Sequence, residues 1–182
     1  MRNYYLWMEN AEPAPDPRVL AEEAIAQMNL SAIRIGTYPT SSSISPDSMG
    51  LVGYPVWMWA KEPDEHTWGP ITGSASAGGH TVTATAHVSH VAWDMGDGKT
   101  VRCHRPGHKA PKPPPGPDRD SPTCGHRYST QGHHTVTATS HWIITWNGAG
   151  QHGTIPLELT TSTVLTIGEL QVVNVYPRRS PR

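Results

Sequence analysis

Helix breakers set the first limit on this chain: 18 prolines and 17 glycines interrupt its 182 residues. Together they make up about a fifth of the sequence, against an average near 12%. A proline inside a helix costs about 3 kcal/mol and a glycine about 1 kcal/mol, so long helices and helical bundles are excluded. The fraction still lies below the level that marks low-complexity disorder, and a folded part is expected. Short strands between turns are the remaining way to bury a core.

Period-two alternation supplies those strands. Residues 79–88, GHTVTATAHV, place Val82, Ala84, Ala86 and Val88 on one face and Thr81, Thr83, Thr85 and His87 on the other. Residues 134–146, HTVTATSHWIITW, begin the same way 54 residues later. That offset is too short for two immunoglobulin-like domains, and convergent strand composition within one sandwich is the simpler account. NGAGQHG, residues 147–153, reads as a hairpin loop, with strands expected at 154–159, 161–167 and 169–175. Counting from Thr81 gives about seven short strands.

The N-terminal part holds the one good helix signal. Asp16 is placed as N-cap and Pro17 as first helical residue, and Leu20, Ala21, Ala24, Ile25 and Met28 form an apolar stripe over 17–29. A Ser/Pro-rich linker follows at 40–48, closing a lead of residues 1–50. Residues 51–73 carry a Trp-rich strand, where Trp57 and Trp59 alternate with Val56 and Met58. Exposed Trp57, Trp59 or Trp68 would suit stacking on sugar rings, although large aromatics more often fill cores, and this chain has no Phe. The sandwich is expected over 74–175, interrupted at 104–122 by an excursion with seven prolines and almost nothing apolar. Such a segment is expected to be exposed and mobile. Residues 176–182 form a basic tail.

With 14 Lys and Arg against 15 Asp and Glu, the formal net charge of −1 gives no basic surface for nucleic acid. No apolar run is long enough to span a membrane. The first residues, MRNYYLWMENAEPAP, hold no apolar stretch of the roughly 7–15 residues that a secretory signal needs.

One constellation is more specific. VAWDMGDGKTV at 91–101, followed by HRYSTQGHHTVTATS at 126–140, resembles the PKD domain, an immunoglobulin-like β-sandwich family. Trp93, Asp94, Gly96, Asp97 and Gly98 match its first hallmark, and His126, Tyr128, Gly132 and Val136 its second. His134 stands where the family usually has Tyr, and the Pro-rich excursion separates the two halves. The resemblance implies a mainly β, antiparallel sandwich of about seven strands with a short N-terminal helix. Read as residues, Trp93 is a core anchor, Asp-Met-Gly-Asp-Gly a tight turn with glycines at positive φ, and Tyr128 a cap for a strand corner. The wider arrangement is similar to a group of actinobacterial envelope proteins, some called ATP/GTP-binding. That likeness implies an extracytoplasmic or cell-envelope module contacting proteins, although such proteins usually begin with an export signal. Carbohydrate binding through the tryptophans is the alternative.

Chemistry is sparse. GDGKT at 96–100 lacks the first P-loop glycine, since that position is Trp93, and no apolar helix follows; nucleotide binding is not expected. Asp94 and Asp97 do not match a calcium-loop spacing and read as turn caps. Cys103 and Cys124 flank the excursion and favour a disulfide in an oxidising compartment. Zinc held by Cys103, His104 or His108, Cys124 and His126 is the rival. His80, His87, His90, His133, His134 and His141 read as surface residues. No catalytic motif is found, so a non-enzyme without cofactor is expected.

Overall fold

The computed structural model describes residues 15–170. One helix leads, α1 (Pro17–Gln27), and nine strands follow: β1 (Ile35–Tyr38), β2 (Gly50–Leu51), β3 (Pro55–Ala60), β4 (Ile71–Ala77), β5 (His80–Asp94), β6 (Thr100–Cys103), β7 (Gly125–Arg127), β8 (Gly132–Gly148) and β9 (Gln151–Gly168). The fold is mainly β, with two sheets and a short N-terminal helix. One sheet has the order β1-β3-β7; the other runs β2-β9-β8-β5-β4, with β6 added beside β5. No helix among the described residues is long and apolar enough to cross a membrane.

The helix begins as its residues dictate. Asp16 accepts a hydrogen bond from the Arg18 amide at 2.9 Å, and Pro17 stands in the first turn. It ends two residues before the predicted limit, where Asn29 turns to φ 49°. Leu20, Ala21, Ala24 and Met28 are buried in the same cluster as the strands, so α1 is a wall of the core.

The large sheet is built on three long strands. The two HTVTAT stretches fall at opposite ends of the antiparallel β5–β8 pair, with Val82 and Ala84 at one end and Val136 and Ala138 at the other. Their threonines face outward, and Thr85 and Thr83 bond Thr72 and Ser74 of β4 at 3.0 Å. Seven short strands are expected from Thr81 onward, but five are found among the described residues. Residues 80–88 and 91–94 are one strand, because a bulge at Ser89 inserts one residue and switches the buried parity from Val88 to Val91 and Trp93. Residues 154–159 and 161–167 likewise merge into β9. The loop expected at 147–153 shrinks to a two-residue turn, Ala149 and Gly150, since Gly148 already pairs with Gln151. Residues 169 and 170 are not in a strand, and the rest of the strand expected at 169–175 lies outside the described residues, as does the basic tail.

The second sheet comes from the lead and the Trp-rich segment. Tyr38 of β1 pairs with Trp57 of β3, and Val56 of β3 pairs with His126 of β7. Val56, Met58 and Ala60 join Trp93, Met95 and Tyr128 in one core cluster. Residues 15–60 are therefore part of the sandwich rather than an appendage. The stretch predicted as a linker is pinned as well. Ser41 is buried, its Oγ donates to the Val164 carbonyl at 2.9 Å, and the Ser42 amide donates to the same oxygen at 3.0 Å.

Candidate functional site

The hallmark residues converge at one end of the sandwich. Asp94 accepts from the Gly96 amide at 2.9 Å and Asp97 from the Lys99 amide at 3.1 Å. Gly96 adopts φ 70°, and a Cβ there would stand 2.6 Å from the Thr135 carbonyl, so only glycine fits. The second oxygen of Asp97 meets His126 Nε2 at 2.8 Å, with the two side chains 8% and 7% exposed. Burial pushes the Asp97 pKa up, but hydrogen bonds from His126 and the Lys99 amide, with the charges of both residues, outweigh it and hold the group below the ordinary carboxylate value.

Tyr128 crosses this turn from below. It is 1% exposed, and its hydroxyl donates to the Met95 carbonyl at 2.8 Å. Burial, then the charges of Asp97 and Asp94, raise its pKa and keep it a neutral donor. His126 meets the ring edge-on at 4.7 Å and His134 stacks on it at 4.3 Å. Trp93 is buried as expected, as is Val136, while Gly132 opens β8. Asp97, His126, Tyr128 and His134, with the Met95 and Gly96 carbonyls, thus tie the turn after β5 to β7 and to the start of β8. Lys99 and Thr100 run into β6 rather than a helix, so the GDGKT stretch has no phosphate-facing helix terminus.

Cys103 and Cys124 form a disulfide with Cα atoms 5.9 Å apart. That removes both thiolates from the rival zinc set, and no group of three or more His, Cys, Asp or Glu among the described residues is arranged to hold a metal ion.

The excursion is exposed over most of its length, as expected, but it is anchored to the sandwich. Rather than standing away from the sandwich, residues 104–122 fold back over the small sheet. The Ala60 amide donates to the Pro106 carbonyl at 2.6 Å, Trp57 Nε1 to the Arg119 carbonyl at 3.1 Å, and Arg127 to the Pro117 carbonyl at 2.9 Å and the Asp120 carboxylate at 2.9 Å. Pro115 is buried. Beside it opens a cleft of about 160 Å³ whose lining includes Tyr38, Pro39, Met49, Leu51 and Tyr54. No single-residue motif points to this cleft. Its signal is the repeated Tyr-Pro dipeptide at 38–39 and 54–55, whose significance appears only once β1 and β3 pair.

This closure also corrects the stacking set. Trp57 is 2% exposed, lies under the strap, and has the Arg119 guanidinium 6.0 Å over its ring. Trp59 is half-buried against Gly36, where a Cβ would collide with the indole. Trp68 is half-buried against the core, and its carbonyl takes the Val88 amide at 2.9 Å. The exposed platform that sugar stacking needs is not formed by Trp57.

Of the histidines read as surface residues, His134 is buried and His90 and His141 are half-buried. His134 is 7% exposed, with Nδ1 at 3.4 Å from the Gly96 carbonyl and Nε2 buried without a partner. His90 and His141 stack across β5 and β8 with centroids 4.2 Å apart, His104 stands 5.6 Å from His90, and Glu158 bonds His141 at 3.1 Å. His80, His87 and His133 are exposed.

Comparison with protein-family models, curated proteins and solved structures yields no match. The reading of this chain therefore rests on its own residues.

Proposed function

We propose that this chain is a non-catalytic contact module, an immunoglobulin-like sandwich of PKD type that works outside the cytoplasm or in the cell envelope and holds protein partners. The observation that carries the reading is the Tyr38–Tyr54 cleft. At about 160 Å³ it is smaller than the roughly 300–1,000 Å³ of small-molecule sites and accommodates a single side chain from another polypeptide. Its wall is apolar and aromatic, the kind of lining that anchors contacts between proteins. The disulfide supports an oxidising compartment. Support for the PKD assignment comes from the buried Trp93, the turn bonds of Asp94 and Asp97, the Asp97–His126 pair and the edge-on packing of His126 on Tyr128.

A photo-crosslinking residue placed at Tyr54 in the producing cell tests this reading. Discrete protein adducts are expected from Tyr54 and none from Thr83 on the outer face of the large sheet. Equal labelling from both positions, or none from Tyr54, contradicts it.

A further inference from the structure

The disulfide gathers basic side chains that no carboxylate beside them neutralises. It joins the end of β6 to the residue before β7, with Cα atoms 5.9 Å apart. Strand alternation turns Cys103 inward, where it is buried, and leaves Arg102 exposed on the outer face. His104 and Arg105 follow, both exposed. Between these three side chains and Pro122 and Thr123 opens a pocket of about 280 Å³, and no Asp or Glu lines it. His108 stands at its edge, where its amide donates to Thr123 Oγ1 at 2.9 Å and its Nδ1 lies 3.3 Å from the same oxygen.

The arginines set this pocket apart. Arg18 pairs with Glu22, Arg34 with Asp64 and Arg127 with Asp120, and Arg119 lies over the Trp57 ring. Arg102 and Arg105 have neither an ion pair nor an aromatic partner among the described residues. Their field reaches the sheet: burial, then the charges of His141, Arg102 and His104, hold the His90 pKa below its ordinary value. Glu158, the one carboxylate that opposes them there, is bonded to His141 at 3.1 Å. A guanidinium is always charged, and its planar fork matches the oxygens of a phosphate-type group. Two such forks, with a histidine and a threonine hydroxyl beside them, suit a doubly charged oxyanion better than a singly charged carboxylate. The disulfide fixes the backbone on both sides of the pocket, which lowers the ordering cost of binding.

We infer that the pocket between Arg102, Arg105 and Thr123 is a binding site for a phosphate or sulfate group. This goes beyond the contact reading and does not depend on the Tyr38–Tyr54 cleft.

The test titrates the full chain with sodium sulfate, inorganic phosphate, long-chain polyphosphate and, as control, acetate, all at one ionic strength. Calorimetry gives affinity and stoichiometry, and the side-chain N–H resonances of Arg102 and Arg105 report the place. Saturable one-to-one binding of sulfate and phosphate is expected, with both resonances shifting and acetate silent. Arg102→Gln and Arg105→Gln are each expected to weaken binding about tenfold, the loss of one charge-assisted hydrogen bond. Both side chains are exposed, so each variant is expected to keep the thermal melt of the parent. Arg18→Gln, on α1, removes the same charge elsewhere and is expected to change nothing. Tighter binding per phosphate by polyphosphate assigns a group carried on a chain, and equal binding per phosphate assigns the free ion; both uphold the site. Acetate binding as tightly as sulfate, or equal weakening in Arg18→Gln, overturns the inference. So does the absence of saturable binding by all three oxyanions. The contact reading is tested separately, by the Tyr54 crosslink.

Discussion

His90 shows how far a single residue departs from its surface appearance in the sequence. Plain alternation from Val82 to Val88 puts it on the buried face, but the bulge at Ser89 shifts it to the outer face between His104 and His141, where the Ser89 hydroxyl bonds both its ring and the His141 carbonyl. Burial, then the charges of His141, Arg102 and His104, lower its pKa below the ordinary 6.5, with Glu158 opposing. In the unfolded chain His90 takes a proton near 6.5, and in the folded chain only at lower pH. The unfolded state thus binds more protons across that interval, and stability falls as pH drops below about 6.5. Denaturant titrations from pH 7.5 to 5 should show this decline. His90→Gln should flatten it, and an equal slope in the variant would assign the decline elsewhere. Other residues were legible. Trp93 is buried, as its place on an alternating strand predicts, and the Tyr128 hydroxyl finds the Met95 carbonyl within the facing hallmark. His134 was not, because its burial depends on the stack with Tyr128 across two strands.

Among the elements, α1 and the alternating strands were readable from local pattern, and their joins were not. A bulge changes the buried parity without changing composition, so β5 reads as two strands. The turn between β8 and β9 shows the same limit. Asn147-Gly148 is the familiar hairpin signal, but the chain turns at Ala149 and Gly150, both at positive φ, which matches a two-residue type I′ connection. Alanine at φ 48° costs about 1 kcal/mol or more relative to residues that tolerate that region. Ala149→Asn is therefore expected to raise stability by about 0.5–1 kcal/mol, read as a shift in denaturant midpoint. A lower midpoint would show that the turn lies elsewhere. Pro156, within the outer strand β9, interrupts the row of amide donors on that strand and helps keep its edge from pairing with another chain.

At the scale of the molecule, the small sheet was the least visible feature. Its pairings join Tyr38 to Trp57 and Val56 to His126, and the second spans 70 residues of sequence, so neither leaves a local trace. The prolines of 104–122 read as an excursion for the same reason: what holds them is the far surface they return to. The disulfide secures that return. Closing a loop with a separation of 21 residues contributes about 3 kcal/mol in the chain-entropy model. Replacing both cysteines with alanine should lower stability by about that amount. Intact mass should show two alkyl labels on the native chain only after reduction. Labelling without reductant would remove the cystine.

The cleft exists only if residues 35–60 are the second layer of one cooperative sandwich. Amide hydrogen exchange on the full chain measures this directly. Met58 of β3, whose amide bonds the Cys124 carbonyl at 3.0 Å, should exchange at the same free energy as Val136 and Ala138 of β8, because all three are buried in one core. Exchange of Met58 far faster than β8 would show that the small sheet opens by itself, and the contact surface built on it would fall.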